Sequence, residues 1–365
     1  MRFQLDEEYE LTRAAVRDFA ESELTPGAAD RDELERFDRS LFDNMAAMGL
    51  TGIPIAEQWG GAGSDMLAYS IVLEELARVC ASTSAVLEVH TTAAWVIAKH
   101  GSDNWRETIL MPLTKGERLG TIAYSHPSLR GKRMGQDFYT LDGFLPSVEL
   151  AGVADDYVGL IRHRTGGLSL GIVPGDCSGL TCETSRSKLG MRGIPTAELR
   201  FQSVHCHLFN VVKEKSESCA RDIFNGINEM RDIGAAAQAT GIAQGALDAA
   251  LSYAQERMQF GKPIGRQQGI AFKLADMAAN VEASRWLVYD AAWSVDRGLS
   301  GCAKAAMAKL YAIKHAVVTA TEAVQIFGGY GYMREYRVER YLRDAKSLEA
   351  ASEHSYSAIL SQEAE

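Results

Sequence analysis

Two short runs in this chain carry residue types that could do chemistry. The first is Glu256-Arg257-Met258-Gln259-Phe260-Gly261-Lys262-Pro263-Ile264, followed by Gln267 and Gln268. Its chemistry-bearing residue is Arg257, a permanent cation with a fork of N–H donors. The same run also reads as a helix end, a Gly-Pro connector and a second helix start, with Arg257 capping the negative end of a helix dipole. The second run is Gln325-Ile326-Phe327-Gly328-Gly329-Tyr330-Gly331-Tyr332. Its glycines free backbone N–H groups and remove Cβ atoms, so a phosphate could approach closely. It follows a helix rather than a strand, which excludes the dinucleotide-binding fingerprint and leaves a helix C-cap and loop as the other reading.

Metal chemistry is not expected. Cys177 and Cys182 with His205 and His207 fit no usual zinc spacing. The six cysteines include no Cys-x-x-Cys pair and read as reduced, mostly buried thiols.

The elements that must position these runs follow from periodicity. Residues 1–115 read as an α-helical domain: Leu11, Ala14, Ala15, Val16 and Phe19 share one helical face, and Met66 to Val79 is apolar-periodic. Ser64-Asp65 closes a Gly-rich connector and supplies good N-caps for that second helix. Residues 116–215 change texture, with β-prone runs at 120–123, 138–141, 157–161, 168–173 and 197–201 broken by Gly, Pro, Asp and Ser. They predict a middle antiparallel β domain. Residues 216–365 return to helix, with long Ala-rich amphipathic stretches at 234–257, 270–297 and 301–327 and a shorter one at 336–346. Ala-rich faces pack closely, so a C-terminal four-helix bundle is expected, and the fold class is α+β, mostly α. Trp95, Trp105, Trp286 and Trp293 read as core.

Composition narrows the function. The 365 residues suffice for two or three domains and are 46% hydrophobic and 24% charged. With 38 Lys+Arg against 48 Asp+Glu the formal charge is −10, which argues against nucleic acid and against docking on anionic lipid. No apolar run reaches membrane-spanning length. The N-terminus Met1-Arg2-Phe3-Gln4-Leu5-Asp6-Glu7-Glu8 is acidic where a targeting peptide would be basic or apolar, so the cytoplasm is the expected compartment.

The two Gly-containing runs, taken with Tyr336-Arg337-Val338-Glu339-Arg340-Tyr341-Leu342-Arg343-Asp344-Ala345-Lys346, resemble the C-terminal domain of acyl-CoA dehydrogenases. The resemblance extends over nearly the whole chain. Gly52-Ile53-Pro54, Gly60-Gly61-Ala62-Gly63 and Leu73-Glu74-Glu75-Leu76-Ala77-Arg78 look like that family's N-terminal domain. Lys188-Leu189-Gly190-Met191-Arg192-Gly193 with Thr196-Ala197-Glu198-Leu199 is similar to its β-domain exit. The resemblance implies FAD shared across a subunit interface, with Arg257, Gln259, Phe260, Gln268, Gln325 and Gly329 holding the diphosphate and adenosine of a flavin bound mainly by a neighbour. It also implies an acyl-CoA substrate, an electron-transferring flavoprotein as electron acceptor, and a tetramer.

The isoalloxazine end departs from the family pattern. Where relatives carry Thr-Glu-Pro this chain reads Tyr124-Ser125-His126-Pro127, and the Gly-Ser-Asp loop is shortened into Ser128-Leu129-Arg130-Gly131-Lys132. The Trp-Ile-Thr-Asn site reads Ser147-Val148-Glu149-Leu150, and a carboxylate there would disfavour an anionic reduced ring. The resemblance thus does not extend to the chain's own isoalloxazine pocket. The usual catalytic Glu falls on Ser352, whose hydroxyl cannot take an α-proton unaided. Some relatives place that Glu on the first long C-terminal helix, at the position of Arg231. Asp232, Glu229 and Glu353 are the remaining carboxylates nearby, each also readable as a surface charge.

Three functions are compatible with this pattern. The first is a non-catalytic or half-site subunit of a hetero-oligomeric FAD-dependent acyl-CoA dehydrogenase, paired with a paralogous subunit. The second is an independent homo-oligomeric flavoenzyme with altered acyl-CoA chemistry. The third is a cofactor-free scaffold or binding protein of the same fold.

Overall fold

The computed structural model describes residues 4–123, 128–133, 138–162, 168–209, 217–299 and 301–350. The N-terminal helices are α1 (Glu7–Phe19), α2 (Ala28–Glu33), α3 (Arg39–Ala47), α4 (Met66–Val79) and α5 (Ala81–His100), followed by the short α6 (Asp103–Trp105) and α7 (Met111–Thr114). The sheet strands are β1 (Gly120–Ala123), β2 (Leu129–Arg133), β3 (Phe138–Glu149), β4 (Asp156–Arg162), β5 (Leu168–Pro174), β6 (Leu180–Cys182) and β7 (Thr196–Phe209). Then come α8 (Glu217–Glu256), a two-stranded hairpin of β8 (Met258–Gln259) and β9 (Lys262–Pro263), α9 (Gln268–Asp296), α10 (Cys302–Phe327) and α11 (Val338–Glu349). Helices, sheet, helices is the order expected from the sequence.

Helix α4 begins where the sequence places it. Asp65 accepts from the Ala68 N–H at 2.8 Å, as an N-cap should. Asp296, at the end of α9, takes the Met66 and Leu67 N–H groups at 2.9 and 3.3 Å. Two carboxylates thus satisfy the orphan donors of a helix start that is half-buried.

The bundle packs through small residues. Ala305, Ala308, Ala312, Ala316, Ala320 and Ala323 of α10 are all completely buried, a stripe at helical spacing that lets α10 lie close on α8. On its other side α8 meets α4 main chain to main chain. A Cβ at Gly241 would fall 2.1 Å from the Glu74 carbonyl oxygen, and one at Gly245 would fall 2.2 Å from that of Arg78. Only glycine fits at either crossing point.

Charges are buried at this junction, each with a partner. Glu74 and Glu75 are both 2% exposed. Arg285 donates to Glu74 at 2.7 Å and Tyr289 at 2.9 Å, while Arg17 forks onto Glu75 at 3.0 and 2.7 Å. These bonds tie α1 and α9 to α4.

The sheet runs β1-β4-β5-β7-β3-β2, with β6 added against β7. It is antiparallel except for β1 and β4, which pair in parallel (Gly120↔Asp156 to Ala123↔Gly159), a difference from the all-antiparallel expectation. His90 joins α5 to this edge. It is fully buried, its Nδ1 accepts from the Gly120 N–H at 3.0 Å, and its Nε2 lies 3.1 Å from the Leu113 carbonyl. An acceptor at one nitrogen and a donor at the other define a neutral ring, and burial lowers its pKa from 6.5 to about 4.

At the far end α11 docks on the β-domain exit. Asp344, 4% exposed, accepts from the Met191 N–H at 2.6 Å, and Arg340 donates to the Val79 carbonyl at 2.7 Å. Trp286 and Trp293 are exposed by 36% and 45%, contrary to the core reading, because α9 turns one face outward from the bundle.

Candidate functional site

The Arg257 and Gly329 runs meet. Helix α8 ends at Glu256, the hairpin turns the chain, and the loop after α10 folds against it. Between them lies a groove of about 590 Å³ lined by Tyr253, Arg257, Gln259, Phe260, Gly329 and Tyr330 among others. The lining comes entirely from the C-terminal helices and their loops; the sheet contributes none of it.

An aromatic stack builds the floor. Tyr253 stacks on Phe327 with centroids 4.1 Å apart, and Tyr330 leans on Tyr336 at 4.8 Å. The guanidinium of Arg257 sits over the Tyr330 ring at 5.4 Å, which orients the cation while leaving its N–H edges to the groove. Gly328 (φ +62°) terminates α10 in a conformation that disfavours a side chain, and a Cβ at Gly329 would meet nothing within 4 Å. The backbone here is therefore open to a ligand rather than closed against protein.

The hairpin tip was not legible as such. Instead of a Gly-Pro connector, Phe260 (φ +51°) and Gly261 (φ +74°) form a tight turn with both central residues left-handed between the paired Gln259 and Lys262, and the Ile264 N–H donates to the Arg257 carbonyl at 2.8 Å at the base of the hairpin. A left-handed Phe is strained, and Phe260 is 90% exposed, so little among the described residues packs on it to offset the strain.

Gln259 lines the groove, whereas Gln268, the first residue of α9, and Gln325, whose carbonyl accepts from the Gly328 N–H, are exposed positions beside it. Ile264 and Gln267, quoted with the first run, and Met333, just past the second, line it too and were not named as ligand-holding residues. Their signal was only proximity to the motifs. As a donor set, one arginine, a side-chain amide, open glycine backbone and a bare aromatic ring fit the diphosphate and adenosine of FAD.

The ring side is different. Tyr124–Pro127 lie outside the described residues, as do Ser352 and Glu353. Glu149 ends β3, and Arg231 Nη2 donates to its Oε2 at 2.8 Å. The same guanidinium reaches Glu88 of α5, with Nε 3.4 Å from Oε1. Glu88 is 3% exposed, and burial raises its carboxyl from 4.5 to about 7. Neither Glu88 nor this bridge was visible in the sequence, because its members come from α5, β3 and α8.

Asp232 and Glu229 are not surface charges. Asp232 accepts from Lys309 Nζ at 2.8 Å, with side chains 14% and 9% exposed. Glu229 is half-buried beside Gly301 at the start of α10, and burial raises its pKa. Helix α10 covers this face of α8, so polar groups on it must be paired. His205 and Cys182 are exposed on β7 and β6, and among the described residues no group of His, Cys, Asp and Glu is placed to hold a metal.

Comparison with known proteins agrees with the geometry. Residues 6–117 match the acyl-CoA dehydrogenase N-terminal domain and residues 222–352 the acyl-CoA dehydrogenase C-terminal domain. The chain belongs to the acyl-CoA dehydrogenase family. It is 38% identical to the short-chain specific acyl-CoA dehydrogenase of Clostridium acetobutylicum, over 96% of this chain and 95% of that protein. Among solved structures it resembles butyryl-CoA dehydrogenase from Megasphaera elsdenii (33% identity, TM-score 0.93, 100% of both chains). A second neighbour comes from a structure of the electron transferring flavoprotein of Acidaminococcus fermentans (33% identity, TM-score 0.93, 98% of both chains). No helix among the described residues is long and apolar enough to cross a membrane.

Proposed function

We propose that this chain is a half-site subunit of a hetero-oligomeric FAD-dependent acyl-CoA dehydrogenase. It grips the diphosphate and adenosine of a flavin whose ring lies in a paralogous partner subunit. Arg257, Gln259, Phe260 and Gly329 line the grip, with Gln268 and Gln325 at its margin. Bound FAD supplies a hydride acceptor for α,β-desaturation of an acyl thioester.

The observation that carries this reading is the composition of the groove: its donors suit one end of a dinucleotide, and no residue of this chain's seven-stranded sheet lines it. The strained, uncovered Phe260 supports it, since a neighbouring chain or its cofactor would offset that strain. A cytoplasmic tetramer that passes electrons to an electron-transferring flavoprotein is part of the same proposal. The short-chain and butyryl-CoA relatives make a short acyl-CoA the first substrate to try.

Co-expression with a paralogous acyl-CoA dehydrogenase chain followed by an absorbance spectrum tests it. A colourless isolated chain and a yellow complex with one FAD per two chains are expected. One FAD per chain in the isolated protein would replace this reading with an independent flavoenzyme. No flavin under either condition would leave a cofactor-free scaffold.

A further inference from the structure

The half-site reading leaves open what stands where the family resemblance puts this chain's own flavin ring. Three elements converge there, α5, the end of β3, and α8, and each contributes an ionisable side chain: Glu88, Glu149 and Arg231. Glu149 and Arg231 sit at the two positions where family resemblance places ring contact and, in some relatives, the base. The structure joins them by a 2.8 Å charged hydrogen bond.

The bridge is held from below. Glu88 accepts from Thr92 Oγ1 at 3.1 Å, and α8 closes on it so tightly that a Cβ at Gly234 would fall 2.7 Å from its Cγ. The bridge also reaches the surface, because the side chains of Arg231 and Glu149 are 22% and 33% exposed while Glu88 is 4% exposed. It is therefore partly open to solvent rather than sealed in the core.

Neither new charge is tolerable singly. Arg231 alone would be a half-buried cation, and Glu149 alone would present a carboxylate where a reduced flavin gains negative charge. Parting them to admit a planar ring or a thioester would leave Glu88 with its cation withdrawn. A group that enters must break two ion pairs and restores neither.

We propose that the Glu149–Arg231–Glu88 bridge closes this chain's own ring-and-thioester cleft, so that Arg231 and Glu149 determine that one catalytic site per pair of chains is loaded. The proposal rests on the half-site reading, and the two are separable by counting FAD and thioester independently.

The test uses the co-expressed complex, with FAD released by acid and butyryl-CoA binding followed by titration calorimetry. Wild type is expected to bind one butyryl-CoA per two chains. Glu149→Thr/Arg231→Gly, which removes both charges together, is expected to raise this toward one per chain. One butyryl-CoA per chain in wild type overturns the bridge whatever the FAD count is. So does a double variant that keeps its melting temperature and still binds one per two chains. Should the double variant not fold, hydrogen exchange on wild type decides. Saturating butyryl-CoA is expected to protect the partner but not β3 and α8 of this chain, and protection of both segments here overturns the closure. FAD at one per isolated chain fails the half-site reading and leaves the thioester count to judge the bridge.

Discussion

At the scale of single residues, the energetics concentrate on a few charges and one ring. Arg257 is the only arginine lining the groove among the described residues. Arg257→Ala removes a charged hydrogen bond to diphosphate, worth about 1.5–3 kcal/mol, and should leave the purified complex with at least tenfold weaker flavin retention by absorbance. Ser352→Glu alone should create no turnover with butyryl-CoA in a flavin-reduction assay, since restoring a carboxylate leaves the Arg231 bridge in place. His90 gives a stability signature. Its folded pKa, about 4, lies below the unfolded 6.5. The neutral ring therefore contributes fully above pH 6.5 and loses that contribution as pH falls toward 4, by up to about 3 kcal/mol. Urea denaturation from pH 7 to 4 should show this decline, and His90→Gln should lack it. Glu88 acts with opposite sign: its folded pKa, about 7, lies above 4.5, so relative to Glu88→Gln the wild type should lose stability as pH rises through that window.

At the scale of elements, what was legible in the sequence follows from how local its cause is. The start of α4 was readable because Ser64-Asp65 caps it from the preceding residues, and Asp65 does so at 2.8 Å. The second cap, Asp296, arrives from the end of α9 and has no local trace. Asp65→Ala should therefore cost about 1 kcal/mol by thermal unfolding, less than the loss of both caps together. The Arg257 and Gly329 motifs were legible because each lies within a few residues, and the groove they share is a consequence of α8 and α10 ending side by side. Strands β2 and β6 were missed, β2 because Arg130 and Lys132 make it a charged edge and β6 because it is three residues long. The start of α8 at Glu217 was read late, since its first turns lack the Ala-rich face that marks the rest. The charge bridge was hidden for the same reason as the Asp296 cap: its parts are remote in sequence.

At the scale of the whole molecule, the fold divides the labour between a helical frame and a sheet. Buried Glu74 and Glu75, each held by cations from other helices, lock α1, α4 and α9 into that frame. The β domain joins it through ties of its own, among them His90 to Gly120, Arg231 to Glu149, and Asp344 to Met191. The contact between α4 and α8 decides how such a body can move. Where Gly241 and Gly245 bring main chain against main chain, no side chain is available to swivel or slide. The amino-terminal helices and the long bundle must then travel as one rigid piece. Any breathing that admits or releases a cofactor is left to the sheet and to the loops at the bundle's tip.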